Sequence, residues 1–286
     1  MEELVLTRLE LESLVATLAR ELARRPSASQ DRATPSGVGQ RPATSASSSL
    51  DPAVVRSTPE LSRLARLIDH SLLKPDATRG QVERLAEEAV QFAFAAASVN
   101  PYWTPVVAER LRGSAVRVAT VVGFPFGATL PSVKRAEAEA ALLAGAQEID
   151  MVMNIGALRS GELAIVQSDM GGVAEICHAA GARLKVILET AYLTDEQKIT
   201  ACRLAEQAGA DDVKTSTGFG PAGATVADVR LMREAVGPSV GVKAAGGIRT
   251  LQDALAMLQA GATRLGTSAS VAILAEAAQW LASSAG

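Results

Sequence analysis

Apolar positions along the chain fall into three regimes. Over residues 1–25 they recur at helical spacing. Leu4, Leu11, Val15, Leu18 and Leu22 lie 7, 4, 3 and 4 residues apart, on one face, and Leu9 and Leu14 widen it. Glu2 and Glu3 at the start and Arg24 and Arg25 at the end suit the helix dipole, and Pro26 stops the helix. Over 26–57 the periodicity vanishes. Ser, Ala, Pro, Gly and Thr dominate, and Val38, Leu50, Val54 and Val55 are the only branched apolar residues. Such a segment buries too little surface to offset its ordering entropy, so a flexible linker is expected.

From 58 to 286 short branched apolar runs alternate with amphipathic stretches. Strands are predicted over 68–73, 95–100, 117–124, 148–154, 184–190, 212–217, 240–245 and 263–266. Helices are predicted over 58–67, 78–90, 104–112, 131–143, 163–179, 194–207, 225–235, 250–259 and 268–281. Strict alternation means a parallel sheet, and eight units predict closure into a single (β/α)8 TIM barrel behind the helix and linker. The joints Ala144-Gly145-Ala146, Ala208-Gly209-Ala210 and Ala260-Gly261-Ala262 read as helix stops on the rim away from the chemistry. A doubly wound open sheet is the alternative, but no G-x-G-x-x-G follows the first strand.

Composition narrows the function. The 286 residues carry a net charge of −3, which offers no surface for nucleic acid or anionic membrane. No apolar run is long enough to span a bilayer, and the N-terminus lacks the order of a signal peptide, so a cytoplasmic protein is expected. Cys177 and Cys202 frame no disulfide, and with only His70 and His178 no metal-ligand spacing occurs. The expected chemistry therefore runs on Lys, Asp, Glu, Ser and backbone groups, without metal or cofactor.

In a barrel, reactive groups gather at the carboxyl ends of strands. Those ends are read as Asp69, Asn100, Asp150, Glu189, Lys214 and Lys243, with Lys185 just inside the fifth strand. Lys214 stands in an inner strand before a Gly-rich turn. Burial lowers a lysine's pKa, and the neutral amine attacks carbonyls. The bland alternative is a strand-end lysine that snorkels to water. Lys243 on the next strand adds a second cation, and Asp150 can pair with it and move protons. The three suit carbinolamine, imine and enamine chemistry. Gly218-Phe219-Gly220, Gly246-Gly247 and Gly266-Thr267-Ser268 follow the last three strands, where such barrels often hold phosphate.

These stretches resemble the deoxyribose-phosphate aldolases. The similarity rests on Ile68-Asp69-His70-Ser71-Leu72-Leu73-Lys74-Pro75, Val121-Val122-Gly123-Phe124-Pro125, Glu148-Ile149-Asp150-Met151-Val152-Met153-Asn154 and Leu184-Lys185-Val186-Ile187-Leu188-Glu189-Thr190. Val213-Lys214-Thr215-Ser216-Thr217-Gly218 and Val242-Lys243-Ala244-Ala245-Gly246-Gly247-Ile248-Arg249 complete it. The resemblance implies a class I aldolase that reversibly cleaves 2-deoxy-D-ribose 5-phosphate to D-glyceraldehyde 3-phosphate and acetaldehyde. It implies Lys214 as the Schiff-base lysine and Asp150 and Lys243 as the proton-transfer pair. It also implies Gly218, Gly246, Gly247, Gly266 and Ser268 as phosphate contacts, Asp69 and Lys185 as supporting residues, and a homodimer. A Schiff-base barrel aldolase for another phosphorylated sugar and a non-catalytic phosphosugar-binding protein are the competing readings.

Two departures stand out. Many members of that family carry Cys where this chain has Ser98, so a thiol able to trap aldehydes is missing. Residues 1–57 are additional to the barrel. A short amphipathic helix on a Pro/Ser-rich tether resembles the encapsulation peptides of bacterial microcompartment enzymes, which implies a shell protein as partner. Docking on the chain's own barrel and coiled-coil pairing are the alternatives.

Overall fold

The computed structural model describes residues 50–284, together with Ser13, Leu14, Ala16 and Thr17. The remaining residues predicted as the 1–25 helix, and linker residues 26–49, lie outside the described set. All four early residues have a helical backbone, and Leu14 is buried in the main apolar cluster.

Eight strands close in sequence order, every neighbouring pair parallel: β1 (Ile68–Leu72), β2 (Ala96–Val99), β3 (Arg117–Val122), β4 (Glu148–Val152), β5 (Arg183–Ile187), β6 (Asp212–Lys214), β7 (Gly241–Ala245) and β8 (Arg264–Thr267). This is the predicted barrel. The ring closes where Ile68, Asp69 and His70 of β1 meet Leu265, Gly266 and Thr267 of β8. Around it run α1 (Pro52–Ser57), α2 (Pro59–Ala65), α3 (Arg79–Phe92), α4 (Thr104–Arg110), α5 (Pro131–Leu143), α6 (Ile155–Arg159), α7 (Leu163–Ala179), α8 (Asp195–Gln207), α9 (Val226–Ala235), α10 (Leu251–Gln259) and α11 (Ser270–Ser284). None of the described helices is long and apolar enough to cross a membrane.

Local chemistry sets the helix ends. Thr194 Oγ1 accepts the Gln197 N–H at 3.3 Å while Gln197 Oε1 accepts the Thr194 N–H at 3.1 Å, a reciprocal cap on α8. The three Ala-Gly-Ala joints end helices as expected. Gly145, Gly209 and Gly261 take φ of +102°, +88° and +108°, and the following alanine N–H reaches back to Ala141, Ala205 and Met257. All three feed the amino ends of β4, β6 and β8.

Three expectations need correction. The linker assigned to 26–57 is too long, because Pro52–Ser57 is helical. Asp51 Oδ1 caps the Ala53 N–H at 2.8 Å, Pro52 opens the helix, and Val55 is fully buried. Composition over a long window hid this cap-and-proline signal. Strand β6 stops at Lys214 rather than at 217. Thr215 leaves the ladder, its hydroxyl donating to Ala245 O at 3.1 Å. Asp69 is the second residue of β1, not its carboxyl end. Strand tilt and stagger in a closed barrel still bring it level with Gly266, late in β8.

Candidate active site

The lumen of the barrel is charged. Glu148 and Asp150 lie two apart on β4 and therefore share a face. Asp69 enters from β1, Lys185 from β5, Lys214 from β6, Lys243 from β7 and Arg264 from β8. Each of the three carboxylates is fully buried, as is Lys185, and Lys214 and Lys243 keep at most 3% exposure.

Asp150 is the hub. Its Oδ2 accepts from Lys214 Nζ and from Lys243 Nζ, both at 2.7 Å, and its Oδ1 accepts from Lys185 Nζ at 2.9 Å. Lys185 also pairs with Glu148 at 2.5 Å and approaches Asp69 at 3.8 Å. Lys243 donates a short bond to Asp69 Oδ2, and Arg264 Nη1 reaches Asp69 Oδ1 at 3.1 Å. Lys185 meets three carboxylates, Lys243 two, and Lys214 only one.

This unequal sharing separates the lysines. Burial alone would lower Lys185, but Asp150, Glu148 and Asp69 more than offset it and hold the ammonium well above the usual range. For Lys214 burial wins. It lowers the pKa to about 8, with the Lys243 and Lys185 ammoniums acting in the same direction and Asp150 opposing. Burial would raise Asp150, yet Lys185, Lys214 and Lys243 keep it far below the carboxylate range. Asp69 is likewise held low against its burial by Lys243, Arg264 and Lys185. With Arg117 3.8 Å from Glu148, five cations thus face three carboxylates, and Lys214 is the one placed to give up its proton.

The Gly-rich turns rim this lumen. Gly218, Gly246 and Gly247 have φ of +87°, +89° and +80°, a region that favours glycine. The turns after β6 and β7 are pressed together. A Cβ on Gly223 would lie 2.2 Å from Gly246 O, and the Ala224 N–H donates to that oxygen at 3.0 Å. Gly266 sits within β8 rather than in a turn. Its absent Cβ leaves room for Lys243, whose Cε would be 3.0 Å away. Ser268 is exposed, two residues before α11 begins.

Asn100 and Glu189 stand apart from the lysine cluster. Asn100 Nδ2 donates to Leu73 O at 3.1 Å and ties the loops after β1 and β2 together. Glu189 binds Thr217 beside a cleft of about 280 Å³ at the carboxyl rim. Ser98 is buried in β2, and its hydroxyl has no hydrogen-bond partner among the described residues. Sequence reasoning missed Glu148 and Arg264. The two-residue period of a strand gives both, counting back from Asp150 and from Gly266.

Comparison with known proteins identifies the family. The model of the DeoC/LacD family aldolases matches residues 63–276. A curated deoxyribose-phosphate aldolase of Streptococcus pneumoniae serotype 19F (strain G54) is 56% identical over 213 residues, covering 74% of this chain and 96% of its own. One from Thermococcus gammatolerans is 55% identical over 213 residues, covering 74% of this chain and 95% of its own. Among solved structures, a putative deoxyribose-phosphate aldolase from Coccidioides immitis aligns over 94% of this chain and 98% of its own, with 36% identity and a TM-score of 0.73. The tetrameric deoxyribose phosphate aldolase from Aeropyrum pernix aligns over 78% and 95%, with 34% identity and a TM-score of 0.71. With a family match across the whole barrel and relatives above half identity, the chain belongs to the DeoC/LacD family of aldolases.

Proposed function

We propose that this aldolase reversibly cleaves 2-deoxy-D-ribose 5-phosphate to D-glyceraldehyde 3-phosphate and acetaldehyde, with Lys214 as the Schiff-base nucleophile. The observation that carries the proposal is the single Asp150 oxygen shared by Lys214 and Lys243. The neutral Lys214 amine adds to the C1 aldehyde of the open-chain sugar. Proton transfer through Asp150 and Lys243 lets water leave and the iminium form. Loss of the C3 hydroxyl proton then breaks the C2–C3 bond. The bonding pair moves into the iminium, giving an enamine and the phosphorylated aldehyde. Protonation of the enamine carbon and hydrolysis release acetaldehyde and restore the amine. Asp69 and Lys185 hold Asp150 and Lys243 in place. The positive-φ turns at Gly218, Gly246 and Gly247, with Gly266 late in β8 and Ser268 just ahead of α11, suit a phosphate that backbone amides bind.

Borohydride reduction in the presence of acetaldehyde, followed by peptide mass mapping, tests this reading. A two-carbon adduct on Lys214, absent from Lys214→Ala, is expected. An adduct on Lys243 instead, or none, would refute it.

For residues 1–25 we propose delivery to a protein shell that confines the acetaldehyde. The support is the amphipathic spacing ahead of a Pro/Ser-rich tether. Leu14 is buried in this chain, so delivery requires that turn to leave its seat. Equal co-purification with shell proteins by a chain beginning at Thr58 would end the idea. A homodimer is proposed on the family resemblance, and sedimentation measures it.

A further inference from the structure

Glu189 follows β5 directly and adopts a left-handed backbone, φ 54° and ψ 63°. A non-glycine residue rarely sits there, and such positions cluster at functional sites. Two backbone bonds straddle it: the Leu188 N–H to Lys214 O at 2.9 Å and the Thr190 N–H to Thr215 O at 3.0 Å. Its side chain is therefore fixed against the turn that leaves β6.

The carboxylate is 1% exposed. Its Oε2 accepts the Thr217 N–H at 3.2 Å and a short bond from the Thr217 hydroxyl. Oε1 has no hydrogen-bond partner among the described residues, and Gly220 lies flat over it, where a Cβ would come within 2.9 Å. A carboxylate oxygen has no proton to give, so the Thr217 hydroxyl donates to Oε2. Thr217 Oγ1 also accepts the Phe219 N–H at 3.0 Å. A hydroxyl has one proton and two lone pairs. The proton and one lone pair are thus committed, and a single lone pair is left. Glu189, Thr217, Phe219 and Gly220 line the rim cleft, three to six residues beyond Lys214 for the last three.

We propose that Glu189 is a positioning residue that sets substrate specificity by fixing Thr217 as a hydrogen-bond acceptor. The cleft then favours an acceptor aldehyde that carries a hydroxyl donor beside its carbonyl over one that lacks it. This rests on the aldol reading above, but it concerns the acceptor, whereas imine formation concerns the donor.

The test compares addition of acetaldehyde to D-glyceraldehyde 3-phosphate and to 3-phosphooxypropanal, the same aldehyde without its hydroxyl. Wild-type protein should prefer the hydroxylated aldehyde by about tenfold or more in kcat/KM, the worth of one hydrogen bond of about 1.4 kcal/mol. Glu189→Leu frees the Thr217 proton and should collapse that preference to within about twofold. Glu189→Gln keeps an oxygen acceptor and should retain the preference. Thr217→Val removes the acceptor itself and should also abolish it, which keeps the test open if Glu189→Leu does not fold. Borohydride trapping of acetaldehyde on Lys214 should persist in all variants. If Glu189→Leu or Thr217→Val slows both aldehydes equally, the proposal is overturned. If wild-type protein traps no acetaldehyde on Lys214, it is the aldol reading that fails.

Discussion

Lys243→Met probes the electrostatics of the lysine cluster most directly. Lys214 Nζ and Lys243 Nζ each lie 2.7 Å from Asp150 Oδ2, so they are no more than about 5.4 Å apart. At an effective dielectric constant of about 20, two charges at that distance repel by roughly 3 kcal/mol, or about two pKa units. Methionine keeps much of the apolar stem and removes the charge. It also leaves Asp150 Oδ2 to Lys214 alone. Both changes favour protonated Lys214, whose pKa should climb from about 8 towards its ordinary 10.5. The neutral fraction at pH 7 would fall by about a hundredfold. The assay is the rate of borohydride-trapped acetaldehyde adduct on Lys214 as a function of pH. Loss of the Lys243 proton-transfer role lowers the plateau, so the midpoint is the diagnostic quantity. A midpoint that stays near 8, or moves down, would refute the claim that Lys243 depresses Lys214.

Lys214 should also leave a mark on stability. Between pH 8 and 10.5 the unfolded chain holds its proton and the folded chain does not, so folding stability gains with rising pH across that window. The gain is about 3 kcal/mol, and denaturant titrations of Lys214→Met should lack it. Away from the lumen, Lys134 and Asp169 form a buried pair at 2.5 Å that joins α5 to α7, and Lys134 also donates to Val152 O at 3.0 Å. Lys134→Ala strands the carboxylate and should cost about 3–5 kcal/mol, whereas Lys134→Met with Asp169→Leu should recover most of it. Thermal unfolding of both variants checks this. Ser98→Cys should make the protein more sensitive to crotonaldehyde, and unchanged inactivation kinetics would remove Ser98 as a source of tolerance.

How much the sequence disclosed follows from which interactions are local. Alternation of branched strands with amphipathic helices is a local pattern, and all eight strands were legible from it. Helix ends were legible where a cap announces them, as at Thr194 and Thr250. Strand ends were read too long, because Thr215 and Thr217 look extended in sequence while their hydroxyls bond outside the ladder. Lys214, Asp150 and Lys243 could be chosen as a set, but their ranking depends on how three carboxylates are divided among the cations. That division comes from barrel stagger, which sets Asp69 of β1 beside Lys243 of β7 across 174 residues of chain. Gly266 was expected in a phosphate turn. Its closeness to Lys243 exists only once β7 and β8 pair.

The surplus of positive charge around Asp150 acts again after the nucleophile has reacted. An iminium on Lys214 restores the cation that the lysine had shed, in surroundings that favoured its absence. A neutral enamine removes that charge without breaking the bond to the protein. The cluster therefore tilts the covalent intermediate towards its carbon-nucleophile form, which favours breaking the carbon–carbon bond. It also shortens the life of the iminium, the form in which the lysine would otherwise remain trapped.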